Sequence, residues 1–144
     1  MQLRAYLLGA LGLCACGPDF TGRWVGNLNE TGSCSDGSGI PSNSNPIDWS
    51  ISAQGSKLTI VTTANCGSFT ATQEGSTASL DRKDCPVQTE RETGATQQLH
   101  VLSGTLSLNG ATMSVVVLST YDATTPTASG ECSATATGLL ARQK

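Results

Sequence analysis

Hydrophobic and polar positions follow two different patterns along this chain. Residues 5–13 are almost continuously apolar, whereas from residue 20 onward apolar residues recur at every second position, between short segments rich in Gly, Ser and Asn. Alternation with a period of two is typical of β-strands that bury one face. No helical period of useful length follows residue 16. The pattern therefore predicts an all-β domain.

Turn residues divide the alternating region into eight predicted strands. Gly55-Ser56, Gly75-Ser76 and Asn109-Gly110 are predicted to form tight hairpin turns. A charged loop at residues 83–92 separates the fifth strand from the sixth, and the other connections are mostly longer. The predicted strands cover residues 23–30, 47–54, 57–63, 68–74, 77–82, a segment ending at 108, 111–121 and 132–142.

Four cysteines indicate how these strands are arranged. In an up-and-down meander, alternate connections lie at opposite ends, so Cys34, Cys66, Cys85 and Cys132 all fall at the end opposite the tight turns. The register of the hairpin at residues 75–76, continued outward, places Cys66 opposite Cys85, within disulfide reach. The remaining two, Cys34 and Cys132, lie at the ends of the first and last strands, which are neighbours only in a closed sheet. Two disulfides are therefore predicted, Cys66–Cys85 and Cys34–Cys132.

The predicted fold is a single eight-stranded up-and-down antiparallel β-barrel. A β-sandwich is the alternative, although a Greek-key crossing would not gather the cysteines so naturally. Eight strands enclose an interior that side chains can just fill, or that holds one small molecule. Ala71, Ala134, Ala136 and Gly138 leave room on one side, so we expect a filled core with a small pocket at the mouth. The expected core residues are Trp24, Leu28, Trp49, Ile51, Leu58, Ile60, Phe69, Met113, Val115 and Val117.

The N-terminal segment has the layout of a secretory signal. Arg4 precedes the apolar run, which is far shorter than the roughly 20 residues of a membrane span. The following Leu13-Cys14-Ala15-Cys16 resembles the lipobox of bacterial lipoproteins. The resemblance implies cleavage before Cys16 and acylation of Cys16. Cleavage by ordinary signal peptidase near Gly17 is the alternative, and Pro18 disfavours it.

These expectations divide the chain into three parts: a lipoprotein signal peptide at residues 1–15, an acylated tether at 16–19 and the barrel domain at 20–144. Acyl chains on Cys16 would hold the mature protein in the membrane without a spanning helix. Gly17 follows Cys16, in place of the Asp that retains enterobacterial lipoproteins in the inner membrane. We therefore expect an exported, lipid-anchored protein of the cell envelope, in the outer membrane.

The segment Gly22-Arg23-Trp24 resembles the opening G-x-W motif of lipocalins and related calycins. In that superfamily the Trp closes one end of an eight-stranded barrel, and an Arg near the end of the chain packs over it. The resemblance implies structural roles at the barrel end for Gly22, Trp24 and Arg142. A guanidinium group over an indole ring is a favourable cation–π pair.

Charge and reactive residues limit the classes of function. Charged residues make up 13% of the chain and the net charge is −3, so no basic patch is available to bind nucleic acid. The cysteines after residue 16 lack the short C-x₂-C spacing of zinc sites, and we expect no metal or cofactor. His100 is the sole histidine, no G-x-S-x-G elbow is present, and Glu90 and Glu92 lie in a predicted solvated loop. No catalytic residue is predicted, and the chain is not expected to be an enzyme.

The expected function is that of a non-enzymatic binding module, anchored to the membrane through Cys16 and holding a small apolar ligand. One alternative is an envelope lipoprotein that acts structurally, or on a partner protein, through its disulfide-braced loops. Another is an inhibitor-type barrel, although the free N-terminal segment that some such inhibitors insert into proteases would be short and acylated here. An empty apolar chamber of roughly a few hundred Å³ would favour the ligand-binding hypothesis.

Overall fold

The computed structural model describes residues 17–144, so the predicted signal peptide and Cys16 lie outside the described residues. The described part forms one antiparallel sheet, and the predicted all-β class is confirmed. The strands are β1 (Gly22–Cys34), β2 (Gly39–Gln54), β3 (Lys57–Thr62), β4 (Ser68–Glu74), β5 (Thr77–Leu80), β6 (Lys83–Asp84), β7 (Gln88–Thr89), β8 (Thr96–Asn109), β9 (Thr112–Thr124) and β10 (Ser129–Arg142).

Hydrogen bonds close this sheet into a ring of eight strands. Around the ring the order is β1, β2, β3, β4, β5, β8, β9 and β10, and β10 pairs with β1. The two-residue strands β6 and β7 both pair with β8, beyond the end of β5. Successive strands of the ring are thus neighbours in space, as the predicted meander requires. The pairing of the first and last strands removes both free edges from the ring.

The three predicted hairpins are present. Gly55, Gly75 and Gly110 have φ values of 61°, 60° and 60°, a left-handed conformation that glycine adopts without steric cost. The third turn is displaced by one residue from its predicted place. Asn109 is still paired with Thr112, so Gly110 and Ala111 occupy the turn itself.

Four strands, β1, β2, β9 and β10, are longer than predicted at the end opposite these hairpins, and the first two are extended most. β2 begins at Gly39 rather than at residue 47, and β1 continues to Cys34. The additional part of β2 is rich in Ser and Asn, which disfavour strands on their own. Backbone pairing with β1 holds it in the sheet, from Asn45 opposite Leu28 to Gly39 opposite Ser33.

A bulge in β8 changes which positions face the interior. The register against β9 shifts between Val101 and Ser103, and the extra residue Leu102 is exposed. Because successive residues of a strand alternate between faces, one extra residue moves the following positions to the other face. Val101 and Leu106 are both buried, although alternation without a bulge would place them on opposite faces.

The core fills the half of the ring that carries the hairpins. The predicted core residues are buried there, except that Phe69 and Val117 are only partly buried and pack against the others. Phe20 joins this core with 1% of its surface exposed, and its carbonyl accepts a hydrogen bond of 2.8 Å from the Trp24 indole. The tight packing around Trp24 closes this end of the ring, which we call the closed end.

Both predicted disulfide pairs are present, Cys34–Cys132 and Cys66–Cys85. Cys34 and Cys132 are direct cross-strand partners in the closing pair β1–β10. The hairpin of β4 and β5 has the predicted register, but its pairing ends at Ala71 and Leu80, before the second disulfide is reached. Cys66 and Cys85 therefore join two loops, at the end of the ring that we call the open end.

Candidate functional site

A cavity of about 380 Å³ occupies the open half of the ring. Strand β10 explains its position, because its inward side chains are large at the closed end (Leu140) and small toward the open end (Gly138, Ala136 and Ala134). The cavity reaches the surface beside the exposed residues Pro46 and Ala64. Its walls are mainly apolar and include Trp49, Ile60, Phe69, Leu99, Val101 and Val117.

A second cavity of about 260 Å³ lies beside the first, against the loops of the Cys66–Cys85 disulfide. Cys66 lines both cavities, and Cys85 lines the second one. Lys83 helps to fix these loops, because its ammonium group donates to the carbonyl oxygens of Cys66, at 2.9 Å, and of Ser68. The disulfide therefore forms part of the wall between the main cavity and its neighbour.

One pair of polar side chains crosses the mouth of the main cavity. The Tyr121 hydroxyl donates a 2.7 Å hydrogen bond to Oε2 of Glu30, and both residues are half-buried. Burial raises the pKa of the Tyr121 phenol well above its usual range, and the neighbouring Glu30 carboxylate raises it further. A hydrogen bond from Ser119 partly opposes this shift in the Tyr121 pKa. Tyr121 is therefore a neutral hydrogen-bond donor over the physiological range.

The strand register explains how Glu30 and Tyr121 meet. Glu30 lies on β1 opposite Ala136, and Tyr121 lies on β9 opposite Cys132, so β10 runs between them. The inward residue of β10 between these two partners is Ala134, whose small side chain leaves space for the contact. Sequence reasoning missed this pair. The available signal was a carboxylate at an inward position of the alternating first strand, two residues after the core residue Leu28.

The residues of the predicted closed-end motif are brought together. The Arg142 guanidinium lies 4.8 Å from the centre of the Trp24 ring, and Gly22 begins β1 with a φ of 114°. Arg142 also contacts Asp19, donating to its carbonyl oxygen and lying 3.3 Å from its carboxylate. The Gln73 side chain donates to the Pro18 carbonyl at 2.7 Å. The first described residues are therefore held across the closed end.

His100 lies on the outer face of the ring, away from the cavity. Its Nδ1 is 2.7 Å from Asp84 and its Nε2 is 3.0 Å from Asp122, so one histidine connects β6, β8 and β9. The hydrogen bond with Asp84, with a further contribution from Asp122, raises the pKa of His100. The same contact lowers the pKa of Asp84. The sequence suggested an ordinary strand residue and gave no sign of this cluster.

Residues 17–144 contain no group of three or more His, Cys, Asp or Glu side chains arranged to hold a metal ion. The same part of the chain has no helix of the length and apolarity needed to cross a membrane. Comparison of the chain with protein-family models, curated proteins and solved structures gives no significant match. The function is therefore inferred from the geometry of the cavity and from the sequence.

Proposed function

We propose that this protein is a membrane-anchored, non-enzymatic lipoprotein of the bacterial cell envelope that binds a small apolar molecule. The cavity of about 380 Å³ at the open end carries this proposal. Ligand sites in proteins are typically concave and apolar with a few convergent polar groups, and they span about 300–1,000 Å³. The cavity has this character and lies near the lower limit, so a compact ligand would fit.

A lipocalin-like up-and-down barrel is the architecture that we propose for the domain. The ring of eight strands, joined mostly in sequence order, supports this topology. The Arg142 guanidinium over the Trp24 ring supports the resemblance of the Gly22-Arg23-Trp24 segment to the lipocalin motif. In an eight-stranded barrel the interior can hold one small molecule at an end that side chains leave unfilled.

The proposed anchor is an acylated Cys16, and the contacts of the next residues suggest an orientation. Only residues 17–19 would separate the lipid from Phe20, and three extended residues reach about 10 Å. Pro18 and Asp19 are bonded to Gln73 and Arg142 at the closed end. An acylated chain would therefore bring the closed end to the membrane surface and leave the cavity mouth facing away.

A non-enzymatic role agrees with the surroundings of the single histidine. Both ring nitrogens of His100 contact carboxylates, so neither is available to activate a hydroxyl nucleophile. The polar pair in the cavity, Glu30 and Tyr121, is suited to orienting a bound molecule.

Binding of a neutral apolar dye, N-phenylnaphthylamine, tests whether the cavity accepts an apolar ligand. The purified protein should bind the dye, and Ala136→Phe should abolish binding by filling the cavity from β10. Thr137→Phe adds the same ring to the exposed outer face of the same strand and should leave binding unchanged. Equal dye binding by both variants, or none by the unmodified protein, would contradict the proposal and leave the open-end loops as the candidate working surface.

Metabolic labelling with a palmitate analogue tests the anchor independently. We expect the unmodified chain to incorporate the label and to fractionate with membranes, and Cys16→Ala to lose both properties. A Cys14→Ala variant is the matched control, because Cys14 lies within the same lipobox but before the proposed cleavage point. Unchanged labelling of Cys16→Ala would refute acylation at this residue.

A further inference from the structure

Among the described residues that line the cavity, Glu30 is the only charged one. It takes part in none of the ion pairs found within residues 17–144. Lys83 is a cation of the open end, but its ammonium group is engaged by the Cys66 and Ser68 carbonyls and does not line the cavity. A carboxylate that lines an apolar cavity with no cation paired to it attracts a cationic group more strongly than it would in bulk water.

The hydrogen bonding of Glu30 leaves one carboxylate oxygen free to accept from a ligand. Its Oε2 accepts from the Tyr121 hydroxyl, and Oε1 has no partner among the hydrogen bonds of the described residues. An ionised carboxylate accepts hydrogen bonds and donates none, so the group that binds this oxygen must be a donor. A cationic donor satisfies the free lone pairs and the uncompensated charge together.

We propose that the ligand of this cavity is a small amphiphilic amine, whose ammonium group binds Glu30 while its apolar body lies against the cavity walls. This inference rests on the proposed ligand-binding function of the cavity and names the chemical class of that ligand. The aromatic rings of Trp49 and Tyr121 line the same space and suit an apolar body that ends in a cation, whereas the Phe69 ring already lies 5.4 Å from the Lys83 ammonium group. The Tyr121 hydroxyl fixes the orientation of the carboxylate.

The same geometry disfavours other amphiphiles. A ligand with a carboxylate head would bring a second negative charge beside Glu30, with no cation in the described cavity lining to compensate it. An alcohol could donate one hydrogen bond but would leave the charge of Glu30 unbalanced. The expected order of affinity is therefore amine, then alcohol, then carboxylate, for ligands with the same apolar body.

Competition with the neutral dye by octylamine, octanol and octanoate at neutral pH tests this order on the unmodified protein. Because a hydrogen bond between charged groups contributes more than one between neutral groups, we expect octylamine to bind about tenfold to a hundredfold more tightly than octanol. Octanoate should compete more weakly than octanol. Equal or weaker binding of octylamine relative to octanol would overturn the inference about the head group, while dye binding would still support the cavity as a site.

Glu30→Gln supplies the second test, because glutamine has nearly the same shape and can still accept from Tyr121. Octylamine affinity should fall about tenfold to a hundredfold in this variant, with octanol affinity kept within about twofold. Glu131→Gln, on the exposed part of β10 at the same end, is the matched control and should change neither. Unchanged octylamine binding by Glu30→Gln would overturn the assignment. If Glu30→Gln fails to bind octanol, the ranking of the three ligands on the unmodified protein decides whether the head group is an amine. If neither the dye nor any of the three ligands binds the unmodified protein, the proposed function also fails.

Discussion

The two ends of the strand ring are stabilised by different means. At the closed end, Trp24, Phe20 and Leu140 are almost completely buried, and Arg142 covers the Trp24 ring. At the open end the inward residues of β10 are small, a cavity replaces the core, and both disulfides lie there. Packing thus supports one end, whereas covalent links support the other, where the interior is not filled by side chains. A small domain can in this way keep an empty site without losing the order of the loops around it.

The largest expected effect comes from removing the disulfides of the open end. Cys34 and Cys132 are separated by 98 residues, whereas Cys66 and Cys85 are separated by 19. On the loop-entropy model, replacing the first pair by alanine should lower the free energy of unfolding by about 4–5 kcal/mol, and replacing the second by about 3 kcal/mol. Urea denaturation of the two double variants measures this difference. No loss in either variant would show that covalent bracing does not support the open end, and an equal loss in both would contradict the dependence on loop length.

Truncating one aromatic residue at each end compares packing directly. Trp24→Ala should lower the free energy of unfolding by about 3–5 kcal/mol, because a large, fully buried ring leaves a cavity. Phe69→Ala should cost clearly less, since Phe69 is only partly buried and already borders empty space. The same denaturation assay applies. A larger loss for Phe69→Ala than for Trp24→Ala would reverse the comparison.

Enlarging one alanine at each end tests the same contrast by adding side-chain volume instead of removing it. Ala78→Leu adds volume to the filled core and should cost about 1–3 kcal/mol of unfolding free energy through overpacking. Ala136→Leu directs the same added volume into the cavity, so we expect almost no destabilisation. Thermal unfolding of the two variants is the measurement. Equal destabilisation would mean that the open end is as tightly packed as the closed one.

The smallest expected effect is a pH dependence from the outer face of the open end. Because Asp84 and Asp122 raise the pKa of His100 above its ordinary value of 6.5, the cluster contributes its full stability below that value. This contribution is lost as pH rises through the raised pKa of the folded protein. At acid pH the cluster weakens again, as Asp84 becomes protonated near its own lowered pKa, below 3.8.

His100→Asn should remove the loss of stability between about pH 5 and about pH 9 and leave the remaining pH dependence in place. Urea midpoints at the two pH values provide the measurement for the variant and the unmodified protein. An identical change of midpoint in both proteins would show that the histidine does not couple β6, β8 and β9.

Several parts of this architecture could be predicted because they depend on local sequence. Gly55, Gly75 and Gly110 identify hairpins through their backbone freedom. The register of one hairpin predicts the pair Cys66–Cys85, although the strand pairing itself stops at Ala71 and Leu80 and the disulfide joins the loops beyond it. The pairing of the first and last strands could be inferred because a disulfide between Cys34 and Cys132 requires those two strands to be neighbours. These inferences needed only strand alternation and the reach of a disulfide.

The features of the candidate site depend on relations that alternation does not encode. The contact of Glu30 with Tyr121 spans the intervening strand β10 and requires a small residue beneath it. The bulge at Leu102 changes the inward face halfway along β8, so the surroundings of His100 could not be read from its position. The Ser- and Asn-rich start of β2 becomes a strand through pairing with β1, against its own propensity.

The position of the two ends of the described chain has a practical consequence for protein engineering. Asp19 is bonded to Arg142, and the Gln143 amide donates to the Arg23 carbonyl at 2.9 Å, so both ends of the described residues 17–144 lie at the closed end. A reporter or affinity tag fused after Lys144 would therefore project away from the cavity mouth and leave it unobstructed. Segments that must sit at the open end belong instead in the exposed turn at residues 35–38, between β1 and β2. Joining the neighbouring termini by a short linker would permit circular permutation with new ends in that turn.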